Sequence, residues 1–129
     1  MINITNLRGL ILKSTKIEEA VEFYETLWGL KKIDSNQGNS AFFEATGDEG
    51  FILGLVPDSQ RGIETIRFAL ESPEDVDNSF AELKASGQKL LDKPDKLPIP
   101  GEYYGFHLQD LDGTTIELSA TTKTNKNKG

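Results

Sequence analysis

The 129-residue sequence contains no cysteine. That excludes a disulfide framework, a thiol nucleophile and a thiolate metal site. Histidine is nearly absent as well: His107 is the only one, so no pair of imidazoles exists to share a metal. No apolar run approaches the roughly 20 residues needed to span a bilayer. Basic residues are in deficit, 14 against 21 acidic, for a formal charge of −7 and a pI of about 4.7. A chain of that charge is a poor partner for nucleic acid or for an anionic membrane, and neither is expected. The first residues, MINITNLRGL, lack a basic region followed by a long apolar stretch. No signal peptide is therefore expected, and the expected compartment is the cytoplasm. The remaining composition, 36% hydrophobic and 27% charged, is that of a globular domain with enough chain for a core.

What is present is a repeat. Residues 29–34 read GLKKID and residues 87–92 read GQKLLD, about half the chain apart. Each follows an amphipathic stretch, and each of those follows an apolar run. Residues 7–13 read as a strand and 16–28 as a helix, with Ile17, Ala20, Val21, Tyr24, Leu27 and Trp28 at three- and four-residue spacing. Thr15 and Glu18 have the spacing of a capping box, and Gly29 is placed for a left-handed C-terminal cap. Short strands are expected at 30–35, 40–46 and 50–56, broken by the turns NQGN (36–39) and GDEG (47–50). The second half repeats the order. Residues 63–70 alternate as a strand. Ser72 and Pro73 open a helix with Asp75 in its first turn, and Val76, Phe80 and Leu83 make its buried stripe. Strands at 88–92, 103–109 and 114–119 complete the pattern. The proline-rich segment KPDKLPIPG (93–101) reads as a long loop, either a lid or a plain connection. The fold class is α+β: two βαβββ modules, about 5–58 and 61–120, in one domain 1–120. The polar end 121–129 has no apolar residue to bury and reads as disordered.

Two stretches carry a family resemblance. FYETLWGL (23–30) resembles the FY-x-x-x-LG-[LM] helix end of the vicinal oxygen chelate superfamily, and DLDGTTIEL (110–118) resembles its D-P-D-G-x-x-[IL]-E-[LF] hairpin. That superfamily includes glyoxalase I, extradiol dioxygenases, fosfomycin resistance enzymes and bleomycin resistance proteins. The resemblance spans residues 5–119. It implies that the two modules form a curved, cup-like mixed sheet with helices on the convex side and a metal in the cup. The family's ligand positions fall on Gly9 in the first strand, near Gly54 in the fourth, on Thr65 in the fifth and on Glu117 in the eighth. Only Glu117 has a metal-binding side chain. A catalytic divalent metal needs about three or four protein donors. The expectation is accordingly a retained cup without metal or other cofactor.

Residues in phase with those positions should line the cup. They are Ile11 and Lys13, Thr65 and Arg67, Ile52 and Val56, and Glu117. The resemblance adds His107 to the cup wall, with Tyr103 on its side. Arg67, His107, Glu117, Thr65, Lys13, Tyr103, Ile11, Ile52 and Val56 therefore form the candidate ligand-binding set, an apolar pocket with a few polar groups. Each has a plainer reading. Glu117 is a remnant of the metal site held by a salt bridge, Arg67 is its counter-ion, His107 is a packed polar residue and Lys13 reaches solvent. The function expected from the resemblance is metal-independent binding of a small organic molecule in the cup, as in bleomycin resistance proteins, by a chain that forms a homodimer. The alternatives are a metal-dependent lyase, isomerase or dioxygenase, a metal-free enzyme with His107 and Glu117 as the catalytic acid–base pair, and a structural dimer without a ligand. DLDG (110–113) reads as a hairpin turn rather than a calcium loop. Ser14, Thr15 and Ser72 read as helix caps rather than nucleophiles.

Overall fold

The computed structural model describes residues 2–33, 38–44 and 50–122 of the chain. The elements run β1 (Asn6–Ser14), α1 (Ile17–Glu22), a turn of π-helix (Phe23–Leu27), β2 (Lys31–Ile33), β3 (Ala41–Glu44), β4 (Leu53–Pro57), β5 (Gly62–Ala69), α2 (Pro73–Ala85), β6 (Asp95–Lys96), β7 (Tyr103–Gln109) and β8 (Thr115–Thr121). The expected βαβββ order is thus present twice. All eight strands join one open, curved sheet in the order β2-β3-β4-β1-β5-β8-β7-β6. Its two halves mirror one another. Within each half, the first strand pairs in parallel with the last, β1 with β4 and β5 with β8. The halves meet along β1 and β5, which pair antiparallel from Asn6–Ala69 to Lys13–Gly62. That seam contains two register shifts, one between Leu7 and Gly9 and one between Ile11 and Leu12.

The two helices cover one face. Under α1 lie Ala41, Phe43 and Leu55, with Leu12, Val21 and Tyr24 packed against them. Under α2 lie Leu70, Val76, Phe106, Leu118 and Ala120, and the Phe80 and Phe106 rings meet edge to face at 5.2 Å. The opposite face carries a separate apolar cluster of Ile11, Phe42 and Phe51, with Ile33, Val56 and Ile99 against it. Ile99 comes from the proline-rich 93–101 segment, whose Leu97 is also buried and donates its N–H to the Tyr103 carbonyl at 2.9 Å. That segment is tied to the sheet through the edge strand and touches the concave cluster through Ile99.

Local expectations fare unevenly. The Ser72 hydroxyl accepts from the Asp75 N–H at 3.2 Å, with Pro73 at the first helical position, as expected for the start of α2. The capping box at Thr15 does not form. The helix begins at Ile17 after Lys16, without a side-chain cap, and the Ser14 hydroxyl accepts from the Lys16 N–H instead. Beyond Glu22 the expected α-helix widens into the π turn, and Leu27 and Trp28 are left exposed although Tyr24 packs inward. Gly29 adopts φ 72°, and the Leu30 N–H reaches back to the Tyr24 carbonyl, so the chain leaves the helix where expected. The strand expected at 88–92 is reduced to one bridge between Leu90 and Leu108, and the edge strand is Asp95–Lys96. DLDG forms the expected β7–β8 turn: the Asp110 carboxylate accepts the N–H groups of Asp112 and Thr114, both at 2.9 Å. Strand β8 continues to Thr121, the first residue assigned to the tail. Residues 123–129, and much of the NQGN and GDEG turns, lie outside the described residues. Among the described residues no helix is long and apolar enough to cross a membrane.

Candidate functional site in the cup

Sheet register assembles the site. Gly9 on β1 lies opposite Arg67 on β5, Arg67 opposite Glu117 on β8, and Glu117 opposite His107 on β7. Directly paired residues of neighbouring strands project to the same face, so these four make one row across the middle of the sheet. Thr65 falls in the adjacent row, between Ile11 and Thr115.

Arg67 and Glu117 form a fully buried ion pair. Arg67 Nε donates to Glu117 Oε1 at 2.9 Å, and the two side chains are 0% and 1% exposed. The other carboxylate oxygen accepts the Ser119 hydroxyl at 2.5 Å. Both oxygens of Glu117 are thereby engaged by protein. Arg67 Nη1 donates to the Phe51 carbonyl at 3.1 Å, and its guanidinium lies over the Phe51 ring at 3.9 Å and the Tyr103 ring at 4.9 Å. A planar cation between aromatic faces is a favourable arrangement, and it suits arginine better than lysine. One nitrogen is left over: Arg67 Nη2 is buried and has no hydrogen-bond partner among the described residues.

A second arginine joins this group. Arg8 sits at the register shift between Leu7 and Gly9, where the extra residue turns its side chain toward Ser119. Its Nε donates to the Ser119 hydroxyl at 3.2 Å and its Nη2 to the Ser119 carbonyl at 3.0 Å. It lies over the same Tyr103 ring, 4.6 Å from the centroid. Burial pushes the Arg8 guanidinium below its ordinary pKa and the nearby charge of Arg67 pushes the same way, while Tyr103 and Glu117 oppose them. Arginine nonetheless remains charged at any ordinary pH. Sequence phase alone places Gly9, not Arg8, in the cup. A bulge leaves no mark in the alternation of β1, and the length and charge of Arg8 are the only signals it offers.

The other expected residues divide. Ile11, Thr65, Tyr103 and Val56 are in place: the first three are buried and Val56 packs against the Ile11–Phe42–Phe51 cluster. Strand β4 starts at Leu53, one residue after Ile52, and Phe51, which the sequence phase does not assign to the site, packs in the cluster and under Arg67. Ile52 contributes its carbonyl, which accepts the Leu10 N–H at 3.1 Å. Lys13 sits at the end of β1 opposite Val56 and Gly62, and no hydrogen bond or ion pair ties it to Arg67 or Glu117. His107 shares the row with Glu117, but its side-chain partner is Asp92. Asp92 Oδ1 accepts the His107 backbone N–H at 2.6 Å and Oδ2 meets its Nδ1 at 2.8 Å. The contact through Nδ1 sets the orientation of the ring. The sequence gives no spacing cue for Asp92, which reaches β7 only because residues 89–92 run along its edge.

The donors do not fit a metal. Gly9 and Gly54 have no side chain, Thr65 offers a neutral hydroxyl, and both oxygens of Glu117 are already bonded. Among the described residues no three His, Asp or Glu side chains gather to hold an ion. The first position is closed sterically as well: a Cβ on Gly9 would stand 2.3 Å from the Ile52 carbonyl oxygen.

Comparison with known proteins agrees with the cup and its double repeat. The chain is 32% identical over 88 residues to a manganese-dependent 2,3-dihydroxybiphenyl 1,2-dioxygenase of Geobacillus genomosp. 3, a match covering 67% of this chain and 28% of that protein. A manganese(II)-bound glyoxalase from Novosphingobium aromaticivorans superposes with a TM-score of 0.85 at 27% identity, over 98% of this chain and 44% of that one. Homoprotocatechuate 2,3-dioxygenase from Brevibacterium fuscum shares the fold, with a TM-score of 0.79 at 18% identity over 96% of this chain and 34% of that one. The chain thus spans less than half the length of each of these relatives. Residues 11–118 match the Glyoxalase/Bleomycin resistance protein/Dioxygenase superfamily, and the chain belongs to that family.

Proposed function

We propose that this chain is a metal-independent member of its family that holds a small organic molecule in the cup. The observation that carries this reading is the Arg67–Glu117 pair. The carboxylate that would ligate a metal faces a guanidinium at 2.9 Å, so the cation of the site is supplied by the protein itself. Two of the relatives are named for manganese; their metal is a property of those proteins, and the ligand positions needed to share it are Gly9, Gly54 and Thr65 here. We further propose a cytoplasmic location with neither nucleic acid nor membrane as a partner, in keeping with the acidic charge and lack of cysteine, and a homodimer, as the family resemblance implies.

Elemental analysis of protein purified without chelator tests the central point. Less than stoichiometric zinc, manganese, iron and nickel is expected, with a melting temperature that EDTA does not change. One bound metal per chain would overturn the reading. Light scattering at micromolar concentration should give the mass of a dimer. A second reading, a metal-free enzyme, is favoured by the orientation of His107. Asp92 holds its ring through Nδ1, so Nε2 is the nitrogen turned away from that partner and available for acid–base chemistry. Glu117, buried and doubly bonded, is not available for that role.

A further inference from the structure

Among the described residues the charges in the cup do not cancel. Arg8 and Arg67 share one aromatic ring, with guanidinium carbons 4.6 and 4.9 Å from the Tyr103 centroid. Among the described residues the carboxylate within their network is that of Glu117, bonded directly to Arg67 and through the Ser119 hydroxyl to Arg8. Two fixed positive charges therefore face one negative charge in a largely buried setting, where an uncompensated ion is costly. The same cluster contains the orphan donor Arg67 Nη2. A buried guanidinium N–H without an acceptor costs more than a lost hydrogen bond, and a native fold tolerates it where something else supplies the acceptor.

We propose that the Arg8–Arg67–Tyr103 cluster is a recognition site for one negative charge, the carboxylate or phosphonate head of a small organic anion. This deepens the reading above and rests on it. The anion brings the local charge to neutrality and places an oxygen on Arg67 Nη2. Arg8, half-buried and held through Ser119, is the outer contact. The apolar cluster of Ile11, Phe42 and Phe51 adjoins Arg67 through the Phe51 ring and would receive the organic part of the ligand. The site therefore selects for charge first and for an apolar body second.

The test compares benzoate and phenylphosphonate with the neutral isosteres benzamide and methyl benzoate, at equal millimolar concentration and matched sodium chloride. Thermal shift and calorimetry are read on the unmodified chain and on Arg8→Met. Benzoate and phenylphosphonate should raise the melting midpoint of the unmodified protein while the neutral compounds do not. Arg8→Met should weaken benzoate binding by at least about tenfold, the loss of one charge-assisted contact. Crystals of the unmodified protein grown with benzoate should show a carboxylate oxygen within hydrogen-bond distance of Arg67 Nη2, which tests the site even if the variant fails to fold. Equal stabilisation by benzamide would overturn the anion site but leave metal-free binding intact. Undiminished benzoate binding by Arg8→Met, no response to either anion, or water alone at Nη2 would also overturn the anion site. Stabilisation by benzoate only after manganese is added would instead overturn the metal-free reading.

Discussion

Arg67 is the residue on which the cup depends. It is fully buried, and its charge is compensated by Glu117 at 2.9 Å. Removing Arg67 leaves Glu117 buried with only the half-buried Arg8, one hydroxyl away, as counter-charge. Arg67→Ala should therefore destabilise the fold by about 3–5 kcal/mol in urea unfolding. Adding Glu117→Gln should recover much of the loss, because the stranded charge goes too, and strict additivity of the two single effects would show that they do not interact. Gly9 makes a second prediction. The family resemblance puts a metal-ligand position there, yet the structure gives it its own reason to be glycine: a Cβ would approach the Ile52 carbonyl oxygen to 2.3 Å, across the contact through which Leu10 donates to that carbonyl. Gly9→Ala should cost about 1–3 kcal/mol, the usual penalty of overpacking. If Gly9→Ala proved neutral, the approach of β1 to residues 51–52 would be looser than described.

At the scale of the element, the two helix starts separate what sequence can and cannot reveal. Both carry a hydroxyl residue with an acidic residue three positions on. At Ser72 the next residue is Pro73, which fixes the entry to the helix, and the cap forms. At Thr15 nothing fixes the entry; β1 runs on to Ser14, and the chain turns only at residues 15–16, leaving Thr15 outside the helix. Ser72→Ala should cost about 1 kcal/mol, while Thr15→Ala should fall within about 0.5 kcal/mol of the parent; equal losses would restore the capping box. The same logic explains the strands. The alternation in β5 and the hairpin motif around Gly113 place Arg67 and Glu117 correctly, because long regular strands keep phase. Phase fails where backbone irregularity intervenes. The bulge that turns Arg8 inward and the packing of Phe51, which precedes β4, under Arg67 arise from contacts between distant segments, not from local composition. Asp92 was invisible for a related reason. Its segment reads as a strand, but it only lies along the β7 edge, and its contact with His107 spans 15 positions.

For the whole molecule the consequence lies at the seam. The family resemblance describes two modules, and each has its own helix and its own apolar cluster on the covered face. Neither module, however, closes the concave face alone. Arg67 belongs to the second half, but its Nη1 acceptor and its stacking partner, Phe51, belong to the first. Arg8, from the first half, binds Ser119 of the second. The backbone ladder between β1 and β5 joins the halves at the same place. Separation would expose the edges of both central strands and strand two guanidinium groups, costs that the small remaining clusters cannot offset. The chain should therefore unfold in a single transition, with fluorescence of Trp28 in the first half and a probe placed near α2 giving coincident curves. Residues 1–58 expressed alone should show no cooperative transition. Resolved transitions for the two halves would mean that the ion pair and the seam are incidental to stability, and that each module carries a sufficient core of its own.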